Sequence, residues 1–119
     1  MYKSRFMSKF GLYSDEGMPI TFESHLGALR DDIKQLLLEL RNSVKSLGEN
    51  IIEEVRPHRI VYAKTLTFRT FLDVQPRSDS IIISIRRDRS EPEITHTIKT
   101  EQELEGVTKQ IADAYKSIK

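Results

Sequence analysis

Cysteine and tryptophan are absent from these 119 residues. Without thiols the chain can build neither a disulfide framework nor a thiolate-ligated metal site, so packing alone must hold it. No apolar run approaches the roughly 20 residues needed to cross a bilayer. Lys3, Arg5 and Lys9 precede no apolar stretch of the kind that marks a secretory leader. The expectation is a cytoplasmic protein without membrane contact. Glycine is scarce as well. The five glycines form neither G-x-x-x-x-G-K-[ST] nor G-x-G-x-x-G, which excludes nucleotide binding through those phosphate-cradling loops. His25, His58 and His96 are far apart and share no i, i+4 spacing, so no zinc site is visible and no cofactor is expected. A metal-dependent nuclease would need Glu-x-Lys among the strands, and none occurs there.

What is present suits one folded domain. Hydrophobic residues make up 38% and charged residues 31%, and a chain of this length supports a single core. Residues 1–20 carry Tyr2, Phe6, Phe10 and Tyr13 without a sustained period and end in Gly17 and Pro19, which reads as an N-terminal tail before a domain at 21–119. From Phe22 to Leu47 the positions Leu26, Leu29, Ile33, Leu36, Leu37, Leu40, Val44 and Leu47 advance by threes and fours, the stripe of an amphipathic helix. Thr21 is its N-cap, and Gly48 is placed to end it in a left-handed conformation. Thr100 and Glu103 form a capping-box pattern before Leu104, Val107, Ile111, Tyr115 and Ile118, a second helix.

Between the helices lie short β-branched and aromatic runs: 51–56, 60–64, 67–75, 80–87 and 93–99, with prolines at their ends. Pro76-Arg77-Ser78-Asp79 reads as a hairpin loop. The order helix, strands, helix predicts an α+β two-layer sandwich. Its sheet is mainly antiparallel, of four to five strands, with two helices packed on one face.

Net charge is +1, but its distribution is uneven. Between Arg56 and Arg89 eight cations (Arg56, Arg59, Lys64, Arg69, Arg77, Arg86, Arg87, Arg89) stand against Asp73, Asp79 and Asp88, a local excess of five. Such a region either binds anions or simply solubilises a sheet. If Phe68, Thr70, Leu72 and Val74 face the helices, Phe71 stands outside with Arg69, and Ile82 and Arg86 join them from the next strand. An outer face of that kind admits three occupants. Bases of single-stranded nucleic acid can stack on Phe71 while arginines hold phosphates, a second copy can cover the patch in a homodimer, or the aromatic tail can fold over it. An inward-facing Phe71 is the plain alternative.

The candidate binding set is Arg59, Tyr62, Lys64, Arg69, Phe71, Arg86, Arg87 and His96. Alternation puts His96 with Ile94 and Ile98 on the inner face, where a hydrogen-bonded core histidine is the ordinary reading. The pairs Asp31-Asp32 and Glu53-Glu54 diverge from each other and make no facing acid and base. The leading functional reading is a noncatalytic interaction or oligomerisation module that binds nucleic acid or protein through the outer sheet face. The alternative is a small-molecule or enzymatic site near His96 and Tyr62.

Ser46-Leu47-Gly48, His58-Arg59-Ile60-Val61-Tyr62, Phe71-Leu72-Asp73-Val74, Ile94-Thr95-His96-Thr97-Ile98 and Ala114-Tyr115 together resemble an uncharacterised prokaryotic domain family, some of whose members are labelled predicted transport proteins. The resemblance spans about residues 24–118. It implies a domain found alone or as a C-terminal companion of nuclease-like domains, with no catalytic residues assigned. His96 matches a histidine that recurs in the strand before the last helix. The chain departs from longer relatives at Arg89-Ser90-Glu91-Pro92, a short link where they carry an aromatic, glycine-bearing loop. Nothing here supports a membrane-spanning transporter.

Overall fold

A computed structural model describes residues 20–65, 67–88 and 90–118. The N-terminal segment 1–19, with its reading as a tail and its docking over the sheet, lies outside the described residues. The elements run α1 (Phe22–Leu26), α2 (Asp31–Lys45), β1 (Ile51–Val55), β2 (Ile60–Lys64), β3 (Thr70–Arg77), β4 (Ser80–Ile85), β5 (Ile94–Ile98) and α3 (Glu101–Ser117). Each strand pairs antiparallel with the next, giving a five-stranded meander in the order β1-β2-β3-β4-β5. The two main helices pack on it, forming the α+β two-layer sandwich.

The stripe from Phe22 to Leu47 is divided between two helices. Arg30 is extended at φ −66° and ψ 157°, and its amide donates to the Ser78 carbonyl at 3.1 Å, so the chain is drawn to the β3–β4 turn. The break leaves Asp31 and Asp32 in the first turn of α2, where the helix dipole favours negative charge. Thr21 accepts from the Ser24 amide as the N-cap of α1. At α3, Thr100 Oγ1 accepts from the Glu103 amide and Glu103 Oε1 from the Thr100 amide, completing the capping box. The β3–β4 connection is tighter than expected: Pro76 pairs with Ile81 and Arg77 with Ser80, so only Ser78 and Asp79 turn the chain.

Ile81, Ile83 and Ile85 of β4 point into the core, and the register carries that face across the sheet. Ile83 opposes Val74, which opposes Ile60; Ile85 opposes Leu72, which opposes Tyr62. Leu36, Leu37, Leu40 and Val44 of α2 and Leu104, Val107 and Ile111 of α3 close over these residues.

One irregularity reverses an expectation. Tyr62 pairs with Leu72 but Ala63 pairs with Thr70, so Phe71 is an extra residue with no partner in β2. This bulge breaks the in-and-out alternation. Phe71 and Leu72 are both 0% exposed in the same core, and Phe71 meets the Tyr115 ring edge-on at 5.5 Å. Phe71 therefore faces the helices rather than the outside, while Thr70 is exposed. Phe68, expected inward, lies before the start of β3 and is 74% exposed.

Gly48 is also needed for a reason other than the expected one. α2 ends at Lys45 with Ser46 as its right-handed C-cap, and Gly48 does not adopt a left-handed backbone. A Cβ at Gly48 would instead lie 2.3 Å from the hydroxyl oxygen of Tyr115. Tyr115 cannot swing away freely, because it is wedged between the Phe71 ring and Lys64, whose ammonium sits 4.3 Å from its centroid. Gly48→Ala is expected to destabilise the fold by about 1–3 kcal/mol through this overlap. Tyr115→Phe removes the clashing oxygen, so the double variant should recover most of the loss in urea denaturation; equal losses in the single and double variants would contradict the packing.

Candidate functional site

Antiparallel pairing places two cross-strand rows on the face away from the helices: Glu54, Val61, Asp73, Ser84 and Thr95 in one, Gln75, Ile82 and Thr97 in the next. Ile52, Ala63 and Thr70 form a third. Val61 is buried yet belongs to no part of the helix-side core, and Ile82 is half-buried. Among the described residues no helix covers this face.

Ion pairs are interspersed on it. Arg59 Nη1 lies 2.8 Å from Asp73 Oδ2, Arg56 Nη2 2.8 Å from Glu54 Oε1, and Arg86 Nη2 2.8 Å from Glu93 Oε1; Arg69 reaches Asp88 more loosely at 4.0 Å. Asp73 and Asp88 already belong to the basic stretch, so Glu54 and Glu93 lower its local excess from five cations to three. Glu54 and Glu93 fall just outside the stretch from Arg56 to Arg89 in sequence, but the fold brings them beside Arg56 and Arg86. Exposed pairs of this kind are each worth only about 0–1 kcal/mol, so they set the character of the surface more than its stability. Asp73 Oδ1 is buried without a hydrogen-bond partner among the described residues.

The candidate residues separate between the two faces. Arg59, Arg69 and Arg86 belong to the outer side, and Arg69 and Arg86 come together in one groove. Tyr62, Lys64, Phe71 and His96 lie on the helix side. Lys64 is occupied: its ammonium stacks over Tyr115 and donates to the Ile118 carbonyl. Arg87 is exposed, and its carbonyl accepts from the Ser117 hydroxyl at 3.1 Å. The aromatic ring beside Arg69 and Arg86 is not Phe71 but Phe68. Two adjacent large apolar residues, Phe71-Leu72, inside an otherwise alternating strand were the available sign of the bulge that exchanges them.

Tyr62 and His96 do not share a site. They lie on β2 and β5, three strand spacings or about 14 Å apart. His96 is half-buried, with Nε2 3.2 Å from Gln110 Oε1 on α3. Tyr62 is 1% exposed and donates to Glu53 Oε2 at 2.7 Å. Arg41 of α2 clamps the same carboxylate with Nε and Nη2 at 2.9 and 2.8 Å, Lys45 approaches it at 3.5 Å, and the Arg41 guanidinium lies 4.0 Å over the Phe22 ring. One carboxylate thus ties α1, α2, β1 and β2 together. Burial opposes the charge on Glu53, but hydrogen bonds from Arg41 and Tyr62, with the charges of Arg41 and Lys45, outweigh it and hold the carboxyl below its ordinary range. Burial first, then the Glu53 contact, pushes the Tyr62 phenol well above its usual value, so it stays a neutral donor. The arrangement serves as a structural pin. Among the described residues no group of His, Asp and Glu could hold a metal ion, and no helix is long and apolar enough to cross a membrane.

Two substitutions distinguish these roles. Phe71→Ala should cost about 3–5 kcal/mol of stability, whereas Phe68→Ala should stay within about 0.5 kcal/mol. Glu53→Gln should lose about 2–3 kcal/mol at neutral pH. Because the folded carboxyl titrates below the value of 4.5 for a free one, the ionised form favours folding. That contribution is complete above this pH and disappears as pH falls through the lower folded value. The stability gap between wild type and Glu53→Gln, measured by urea denaturation, should therefore narrow in acid; a gap that is constant with pH would contradict the network.

No family model, curated protein or solved structure matches the chain.

Proposed function

We propose that the chain is a noncatalytic interaction module that associates with a second copy of itself through the outer sheet face. The observation that carries this reading is the composition of that face. Small and β-branched residues, with Val61, Ala63 and Ile82 among Thr and Ser, share the face with guanidiniums paired to carboxylates, Asp73 on the central strand among them. A face carrying both signs can oppose its own copy across a twofold axis, because each arginine finds a carboxylate on the other side. A uniformly basic face would repel itself. Across the middle of the sheet a phosphate backbone would meet about as many carboxylates as cations, which makes that region a poor polyanion track.

Size sets the strength. Five strands about 4.8 Å apart and about 17 Å long present roughly 400 Å² of flat area, less than the roughly 800 Å² per partner of tight complexes. The association is therefore reversible. Sedimentation velocity across low-micromolar to near-millimolar protein should show the coefficient rising with concentration. Ile82→Arg, a change on the half-buried outer face, should hold the protein monomeric throughout while leaving the melting transition nearly unchanged. A wild-type protein that stays monomeric over the whole range would overturn the reading.

A further inference from the structure

We propose that the groove at the open end of the outer face, around Phe68, binds an aromatic base together with its phosphate, as presented by single-stranded nucleic acid or a free nucleotide. Phe68 is the most exposed large apolar residue among those described, at 74%. It sits in the β2–β3 connection, which the Lys64 amide closes by donating to the Arg69 carbonyl at 3.1 Å. There it holds φ at +53°, the one positive φ outside glycine among the described residues. A tight connection of this kind favours Gly or Asn at its left-handed position. A bulky aromatic there carries strain of order 1 kcal/mol or more. Local folding therefore gives no reason for a phenylalanine at this place, and neither does the core, which its ring does not enter.

Its neighbours supply the chemistry. Thr67, Phe68, Arg69, Thr70, Arg86 and Glu93 line a groove of about 380 Å³, within the range of about 300–1,000 Å³ for small-ligand clefts. The ring face is sequence-tolerant stacking surface for a base, and the Thr70 hydroxyl can donate or accept. Arg69 Nη2 lies 4.0 Å from Asp88, beyond hydrogen-bond length, so among the described residues no tight ion pair holds it back from a phosphate. Arg86 is held by Glu93 in a half-exposed pair, which a phosphate can displace at small cost. Within the groove Arg69 and Arg86 stand against the single carboxylate of Glu93, one guanidinium more than carboxylates. The groove lies beyond the Ala63↔Thr70 pair at the end of the face, so the inference does not depend on self-association through the middle of the sheet.

The test uses the full chain with three probes in fluorescence-anisotropy or competition titrations at low salt: a single strand of about ten nucleotides, a duplex of equal length, and adenosine monophosphate. The single strand should bind and the duplex should not, since its bases are stacked inside. Adenosine monophosphate competing as tightly as the strand would assign the groove to a free nucleotide; much weaker competition would assign it to nucleic acid. Phe68→Ala should weaken binding at least about fivefold, and Arg86→Gln should lower the salt slope by about 0.7 for a single strand. Phe68→Gly provides the control for folding: it relieves the left-handed backbone, so binding should disappear while thermal stability holds or rises. No binding of any probe at low salt would overturn the proposal. Binding that Phe68→Gly leaves intact would do so too, as would a Phe68→Gly protein whose only change is weaker self-association, because that would make the ring a protein contact.

Discussion

Ile81, Ile83 and Ile85 of β4 fix which side of the sheet is buried, and almost everything else in the molecule follows from their side. The strand lies next to the centre of a meander, so its register is passed to β3 and β5 directly and to β2 through β3. A slip of one residue would turn the whole set outward, at a cost of about 1.5–3 kcal/mol for each large side chain exposed. The helices need this face as much as the face needs them, since the stripes of α2 and α3 have no other apolar surface among the described residues to meet. One-sided burial leaves the opposite side of the sheet as a surface of different chemistry, where small, β-branched and polar residues are interspersed with ion pairs.

The two layers are joined at polar points as well as by the oily core. Glu53 receives Arg41 from α2 and Tyr62 from β2, and Arg41 lies over Phe22 of α1. Just beyond the C-terminal end of α2, Tyr115 fills the space that Gly48 leaves open. Both contacts fix the position of α2 relative to the sheet, one by charge and hydrogen bonding, the other by a close approach that only glycine permits. Neither group takes part in the surface chemistry of the outer face, so fold and recognition are carried by different residues. Phe68 is the point where they conflict: the backbone there would be easier with glycine, and an exposed aromatic ring is present in its place.

Periodicity made the layers legible. The stripes of Leu36, Leu37, Leu40 and Val44 and of Leu104, Val107 and Ile111, with the triple isoleucine strand, were enough to place two helices on one side of an antiparallel sheet. The break at Arg30 was hidden because Leu26 and Leu29 keep helical spacing across it; a backbone hydrogen bond to Ser78, far along the chain, decides it. The orientation of Phe71 was hidden for a related reason, since alternation counts residues and a bulge changes the count. The charge of the outer face is less positive than the basic stretch by itself suggests, because Glu54 and Glu93 lie outside that stretch in sequence but beside it in space. Pairings that periodicity does not encode settled all three.

Solvent accessibility of isoleucine methyls, measured by NMR with a soluble paramagnetic probe over a dilution series, tests one-sided burial and its consequence together. Ile81, Ile83 and Ile85 should remain shielded at every concentration, while Ile82 should be broadened in dilute protein and become shielded as concentration rises. Ile82 shielded at all dilutions would mean that the face is covered within one chain, and Ile82 open at all concentrations would mean that no second copy covers it; either result contradicts the account.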